Sequence, residues 1–593
     1  MNEVTLDELL EQQEELEKNI KESAILQKKW SKIAKEIYNV AQRGNIKIIT
    51  DYDADGICSA YIMRQVLFTA NPQAKVDVIC NDRRNPYGVP RDLQKEDGCD
   101  YIVLDMGSNE LEYILDTFGQ NTIIIDHHII EDEEARIAFA RDNTLLNPHS
   151  LQGTKEIADY CATGLAYRLL RVQEIYYKIE TEKVVKNTCL IMAAIGTIAD
   201  CVNVMDTNSF NRLIIRDGME AINDADFNNI DHTIGYFVAA CLEDKGRFQS
   251  KCDISSKNIA FDIAPVLNAG GRMSEVKNMN GAQYVFDTLI RKHDVDTQYR
   301  INECIEMNKL RKSMLKDILS SDSYKSAVEF EKDRESNICL YRLPDDTPSS
   351  IAGLIAGQFS SKTGKASIVV SYHTDKGYFV GSCRNSDEIE TGIKDFIDSI
   401  AADIPEFEYG GHANAMGVSK LSSASYDILA RKLEEKGSEM KLKEDVPRLV
   451  LKPEELADPN DPKKPNPETI EKLKKLEPFG TGWKLPRAEF RGKMSRQKYL
   501  KTTREIKMNC DNAEVKLKEW DFNDEDYPLL ADNTFMALGS VELSRRFDTE
   551  TQTCVETIAF NNEMDRLFKE KVKQTVEQVG LATPKKKDDV GRP

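Results

Sequence analysis

TIIIDHHII, residues 122–130, decides how the first half of this chain folds. Ile123, Ile124 and Ile125 make a short run that is apolar on both faces, as a strand is when a parallel sheet buries it from both sides. The run ends in Asp126, His127 and His128, and open α/β sheets hold their ligands at such carboxyl ends. The chain has seven histidines in 593 residues, so two side by side at a strand end mark a candidate site.

Similar runs flank it: IKIIT (46–50), VDVIC (76–80), YIVLD (101–105) and TLLNP (144–148). Most are separated by helix-length polar or amphipathic segments, which predicts a doubly wound α/β domain on a parallel sheet over 45–225. Residues 1–44 carry leucine and isoleucine at helical spacing among charges and read as a helical extension. A helical connector is expected over 226–330. ICLYRL, ASIVVSY and GYFVGSC then place a mixed α/β domain at 331–445. After the break PNDPKKPNPET (459–469), short strands predict a small β-barrel of the oligonucleotide-binding type over 446–565, with a partly disordered tail at 566–593.

The net charge of −20 excludes a uniformly basic nucleic-acid coat but suits a site that gathers carboxylates. Thirteen scattered cysteines argue against a zinc ribbon or a disulfide framework. The acidic start MNEVTLDELLEQQEELEK has no secretory core, and the longest apolar stretch, 189–199, is too short to span a bilayer. A cytoplasmic setting without membrane attachment is therefore expected.

The first strand runs into DYDADG, with Asp51, Asp53 and Asp55 at alternate positions. In an extended segment these would share a face. Such close like charges repel by about 4 kcal/mol per pair at an effective dielectric constant of ~20, and a cation or a shared proton must offset that. An aspartate-rich turn capping the next helix through Asp55 explains this stretch equally well on its own. Repetition favours a site: Asp105 ends the third strand, Asp126-His127-His128 the fourth, and Asp200 the apolar segment IMAAIGTIADC. Oxygen-rich donors with one histidine select Mn²⁺ or Mg²⁺ over Zn²⁺.

DYDADG, VLDMG, DHH and GTIADCVNVMDTNSFNR together resemble the DHH phosphoesterase superfamily, and within it the RecJ branch of single-strand-specific exonucleases. PVLNAGGRM (265–273), GSCRN (381–385) and GGHANAMG (410–417) resemble that branch and its DHHA1 substrate domain, and LEPFGTGWKLPRAEF (476–490) resembles the opening of its barrel. The resemblance implies two divalent cations, Mn²⁺ or Mg²⁺. Asp53 and Asp55 would each hold one, Asp105 would bridge them, His127 and Asp200 would complete the ligand set of the second ion, and Asp51 would add an outer ligand. Asp126 would orient a histidine, and His128 would contact the scissile phosphate or protonate the leaving oxygen. Arg272, Ser382 and Arg384 would read a 5′-terminal phosphate, with His412, Gly410, Gly411 and Asn414 beside them.

Three departures stand out. Ile49 occupies a position that is histidine in part of the superfamily. Gly482-Trp483-Lys484 replaces the usual Gly-Asn-Pro, and Pro86 precedes Tyr87 in NDRRNPYG. Tyr499, Lys501, Arg504, Lys507 and Trp520 interleave aromatic and basic character in the expected barrel, as base stacking with backbone tracking requires. The expected function is a metal-dependent 5′→3′ exonuclease that degrades single-stranded DNA to mononucleotides in recombination and repair. It would act as a monomer, with a single-strand-binding protein or helicase as candidate partners. The rivals are a phosphodiesterase for short oligonucleotides or cyclic dinucleotides, and an inactive nucleic-acid-binding scaffold.

Overall fold

The computed structural model describes residues 6–20, 24–151, 158–223, 229–243, 253–332, 334–386, 388–443, 450–483, 485–499, 503–510, 513–520, 534–548 and 553–562. They form two compact units. One comprises residues 19–249 and 254–444; the other joins residues 1–18 and 250–253 to 445–593. The helical extension expected over 1–44 is thus divided between units: Leu6–Asn19 (α1) lies almost wholly in the second, while Ala24–Arg43 (α2) packs in the first.

The larger unit begins with a five-stranded sheet in the order β2-β1-β3-β4-β5, from Asn45–Thr50 (β1), Lys75–Cys80 (β2), Asp100–Leu104 (β3), Ile123–Ile125 (β4) and Leu145–Leu146 (β5). Every pairing is parallel. The helices Ala54–Ala70 (α3), Leu111–Phe118 (α4) and Glu133–Arg141 (α5) connect the strands, and Ala162–Tyr177 (α6) and Lys183–Ala199 (α7) follow. The isoleucines of β4 are fully buried, as expected for a strand covered on both faces. From β1 the chain goes out to β2 on one side and returns to β3 on the other. The crevice between the carboxyl ends of β1 and β3 is therefore a topological switch point, where such sheets bind ligands.

The register sharpens this placement. Thr50 pairs with Leu104 and Leu104 with Ile125, so Asp51, Asp105 and Asp126 follow in one row along the sheet's edge. That row is pinned from behind by a buried cation. Lys29 of α2 donates to the carbonyls of Phe139, Asp142 and Leu145, tying the end of α5 and the start of β5 to α2. Trp30 packs edge-on against Tyr160 beside it. Lys29→Met keeps the apolar stem but leaves three carbonyls without their donor. It is expected to lower stability by about 2 kcal/mol, measured by chemical denaturation.

The second sheet of this unit has the order β6-β7-β8-β10-β9, from Ile338–Arg342 (β6), Ala366–His373 (β7), Tyr378–Arg384 (β8), Phe407–His412 (β9) and Ala415–Leu421 (β10). Only β6 and β7 are parallel. The helix Val295–Ser320 occupies much of the expected connector.

In the other unit, Asp7 of α1 pairs with Lys472 at 3.0 Å. Its main sheet is antiparallel, in the order Ala513–Trp520, Thr503–Cys510, Arg487–Tyr499, Thr534–Asp548, Thr553–Asn562. Val450–Leu451 runs parallel to the start of Arg487–Tyr499. Strands of 13 and 15 residues replace the short ones expected. The side chains of Tyr499, Arg504, Lys507 and Trp520, the whole of Lys501 and Lys484, and the tail at 566–593 lie outside the described residues.

Candidate metal centre and phosphate pocket

The DYDADG segment is not extended. β1 stops at Thr50, and α3 begins at Ala54. Asp53 caps that helix, its carboxylate accepting from the N–H groups of Asp55 and Gly56 at 2.9 and 3.1 Å. The cap is therefore Asp53, not Asp55, and the three carboxylates converge because the chain turns sharply. Gly56 makes that turn possible: a Cβ there would lie 2.5 Å from the Asp51 carbonyl oxygen. Asp55, in the first turn of α3, is bound from elsewhere. Its oxygens accept from Ala162 N at 2.8 Å and Thr163 N at 2.9 Å, at the amino end of α6.

Asp105 follows β3 with a left-handed backbone, φ 61°, and its N–H donates to Ile125 O at 3.0 Å. A non-glycine residue in that region costs on the order of 1 kcal/mol, and aspartate tolerates it better than most. Asp200 sits at the carboxyl end of α7. His127 stands among them: Nε2 is 3.2 Å from Asp105 and 3.7 Å from Asp55, and Nδ1 is 3.7 Å from Asp200. Donor atoms of Asp51, Asp53 and Asp105 lie within 4.8 Å of one another. So do those of Asp105, His127 and His128, and those of Asp55, Cys161 and Asp200. Five separate segments, Cys161 included, thus supply donor atoms to this region.

Burial and mutual repulsion dominate the electrostatics of this cluster. Burial and then Asp53 push the Asp51 carboxyl up to about 8. Burial and the neighbouring carboxylates hold Asp105 and Asp200 well above the carboxylate range. Asp51 Oδ1 is buried without any hydrogen-bond partner. Crowded, buried carboxyl groups, one with an unpartnered oxygen, ionise readily only beside a compensating charge, which divalent cations would supply, and the oxygen-rich set with one imidazole suits Mn²⁺ or Mg²⁺.

Asp126 has the opposite environment. Although burial opposes ionisation, His128, His127 and the Ser108 N–H hold its carboxyl well below the usual range. It accepts from the backbone N–H groups of His127 and His128 and meets His128 Nδ1 at 2.7 Å. Against the cost of burial, Asp126 raises His128 to about 9, so the imidazole is charged near neutrality. Its Nε2 is 2.9 Å from Tyr87 Oη. His128 is thus oriented at both ring nitrogens.

An arginine group adjoins the carboxylates. The helix Ala264–Arg272 lies against the 51–54 turn, where Asn268 Oδ1 accepts from Ala54 N at 3.0 Å and a Cβ on Gly271 would meet Tyr52 O at 2.7 Å. Arg272, at its end, is half-buried and donates to Ser350 O at 3.0 Å. Burial and then Arg83, Arg311 and Arg384 lower its guanidinium to about 9, so four cations share one neighbourhood. Arg384 and Ser382 pack on Gly353 of the helix Ser349–Thr363, where a Cβ would lie 2.9 Å from Arg384 Nη2 and 3.3 Å from Ser382 Oγ. Arg272, Ser382 and Arg384 are therefore gathered by one helix, and Arg83 stacks on Tyr52, 4.8 Å from the ring centre.

GGHANAMG is a hairpin rather than a glycine loop. Gly410 and Gly411 belong to β9, opposite Gly417 and Met416, and only Ala413 and Asn414 make the turn. Asn385 N donates to Asn414 O at 2.8 Å, which sets this turn beside Arg384. The His412 side chain lies outside the described residues. Cys161 and Tyr87 escape a reading of the sequence. Nothing around Cys161 marks it, and Tyr87 stands in the altered NDRRNPYG segment.

Residues 45–197 match the DHH family, N-terminal domain. That segment is similar to DHH domains. The single-stranded-DNA-specific exonuclease RecJ of Bacillus subtilis (strain 168) is 24% identical over 403 residues, 66% of this chain and 45% of that protein. An uncharacterized protein of Methanocaldococcus jannaschii is 28% identical over 213 residues, 34% of this chain and 44% of that one. The chain spans less than half the length of these curated relatives in the matched regions. The crystal structure of Thermus thermophilus RecJ in complex with Mn²⁺ superposes with a TM-score of 0.65 at 19% identity, covering 90% of this chain and 71% of that one. At that identity the likeness concerns the fold: a DHH-type α/β domain on a five-stranded parallel sheet. Among the described residues no helix is long and apolar enough to cross a membrane.

Proposed function

We propose that this protein is a metal-dependent phosphodiester hydrolase that removes mononucleotides from the 5′ end of single-stranded DNA, in recombination and repair. The carrying observation is the meeting of Asp51, Asp53, Asp55, Asp105, His127 and Asp200 at one switch point, next to a group of arginines around Arg272. Asp53, Asp55, Asp105, His127 and Asp200 would hold two divalent cations, with Asp51 as an outer ligand. Such ions, when bound, activate water and neutralise charge on the reacting phosphate. Charged His128, aligned by Asp126 and Tyr87, faces the same centre and can donate a proton from Nε2 to the leaving oxygen.

Arg272, Arg384 and Ser382 supply charge-assisted donors for a terminal phosphate, which carries more charge than an internal diester. In the second unit, the register pairs Tyr499 with Arg504 and Thr503 with Trp520, bringing aromatic and basic residues to one end of three adjacent strands. That placement suits a sheet of the oligonucleotide-binding type that stacks bases and tracks a backbone. Ten cysteines whose side chains are described are free thiols, nine of them buried, in keeping with a reducing cytoplasm.

Digestion of 5′-labelled and 3′-labelled single strands, duplexes and dinucleotides with Mn²⁺ or Mg²⁺ tests this reading. Mononucleotide release from the 5′ label first, on single strands, is expected. Cleavage confined to dinucleotides would instead favour a short-oligonucleotide phosphodiesterase. Arg384→Ala is expected to weaken binding of 5′-phosphorylated strands about tenfold to a hundredfold, the worth of one charge-assisted bond, and to leave 5′-hydroxyl strands unaffected. Competition between the two strands measures it.

A further inference from the structure

A second group of metal-type donors lies in the other sheet of the same unit. Asp346, His373 and Asp375 each place one donor atom within 4.8 Å of the others. None of the three belongs to the centre at the ends of β1, β3 and β4. His373 ends β7, pairs with Tyr378 across the hairpin to β8, and accepts at its carbonyl from Gly377 N at 2.8 Å. Asp375 lies in that hairpin turn and is exposed. Asp346 comes from another loop, after β6, with a left-handed backbone at φ 57°. Its Oδ1 accepts from Thr374 N at 2.8 Å, which fastens the loop to the turn.

His373 decides the reading. Only 3% of it is exposed, and its Nε2 is buried with no hydrogen-bond partner. A neutral ring nitrogen sealed from water normally donates or accepts, because leaving it unpaired costs about 1–3 kcal/mol. One ring nitrogen of His373 lies within 4.8 Å of a carboxylate oxygen from each of the two exposed aspartates. Both carboxylate oxygens of Asp346 already accept from Thr374, so a cation approached by the imidazole from beneath and by the two carboxylates from the rim would add a partner for His373 and Asp375 and use the remaining lone pairs of Asp346.

We propose that Asp346, His373 and Asp375 form a divalent-cation site for a borderline ion of the Zn²⁺ class, with water completing the shell. One imidazole to only two carboxylates gives nitrogen a larger share than at the switch-point centre, where five carboxylates surround His127, and that share favours a borderline ion. The ion would clip the loop after β6 to the β7–β8 turn, which makes it a structural rather than a catalytic ion. It goes beyond the nuclease reading and does not depend on it.

The test is Zn²⁺ stoichiometry on the full chain by equilibrium dialysis, with thermal melts run alongside. Asp375→Asn changes an exposed side chain and is expected to keep the fold while binding one Zn²⁺ fewer per chain than wild type. His373→Asn should lose the same ion. Asp105→Asn should retain it, which separates this site from the switch-point centre. Added Zn²⁺ should raise the melting temperature of Asp105→Asn but not of Asp105→Asn combined with Asp375→Asn. Unchanged stoichiometry in both Asp375→Asn and His373→Asn, or an equal thermal response in the single and the double variant, would overturn the proposal.

Discussion

Asp105→Asn is expected to lower strand hydrolysis by about a thousandfold or more while the metal-free protein loses no stability. The first half follows from position. Among the described residues, Asp105 is the only carboxylate in both the Asp51–Asp53 group and the His127 group, so under the proposed function it would bridge the two cations. Losing a bridging charge removes several kcal/mol of electrostatic stabilisation from the reacting phosphate, and about 4 kcal/mol is roughly a thousandfold in rate. The second half follows from its neighbours. Burial and the charges of Asp55, Asp53, Asp51 and Asp200 all disfavour an ionised Asp105, so neutralising it relieves repulsion. Asparagine also accepts the left-handed backbone at φ 61° as readily as aspartate does. End-labelled digestion gives the rate, and melts in chelator give the stability. Near-normal turnover in protein purified free of wild type would end the two-cation assignment.

Asp126→Asn, the same chemical change at the end of the next strand, is expected to act in the reverse sense on stability. Asp126 is buried between two imidazoles and three backbone N–H donors, and its charge is what holds His128 protonated. An amide keeps the shape but leaves the half-buried imidazolium without its counter-charge. Breaking such a pair costs about 3 kcal/mol. Chemical denaturation of the metal-free variant should show that loss, where Asp105→Asn shows none. Hydrolysis should fall as well, because His128 loses both its orientation and its proton. An Asp126→Asn protein as stable as wild type would mean that the Asp126–His128 contact contributes nothing net.

The contrast between these two aspartates shows where sequence reasoning stops. Both follow an apolar strand of a parallel sheet, and periodicity places both at the carboxyl edge. Whether a carboxylate is surrounded by others like itself or by imidazoles depends on which strands are neighbours. The order β2-β1-β3-β4-β5 follows from no single segment. DYDADG is a similar case. Its alternating aspartates suggest an extended face, but a residue without Cβ at Gly56 lets α3 start at once, and Asp53 becomes a cap.

The strand runs, the helix-length segments between them and the carboxylates at their ends were legible because hydrophobic burial writes its period directly into the chain. Other features required contacts between residues far apart in the chain. Asp55 accepts from the start of α6, 107 positions away, and Arg272 meets Ser350 across 78 positions. Tyr87 reaches His128 across 41, and Cys161 joins Asp55 and Asp200. No local pattern records such meetings, because a hydrogen bond or a shared donor shell depends on distance in space. The amino-acid sequence by itself determined which residues could be ligands and on which edge of the sheet most of them stand. The tertiary structure alone decided which of them face one another, because that depends on strand order, on the turn at Gly56 and on the helix that gathers the arginines.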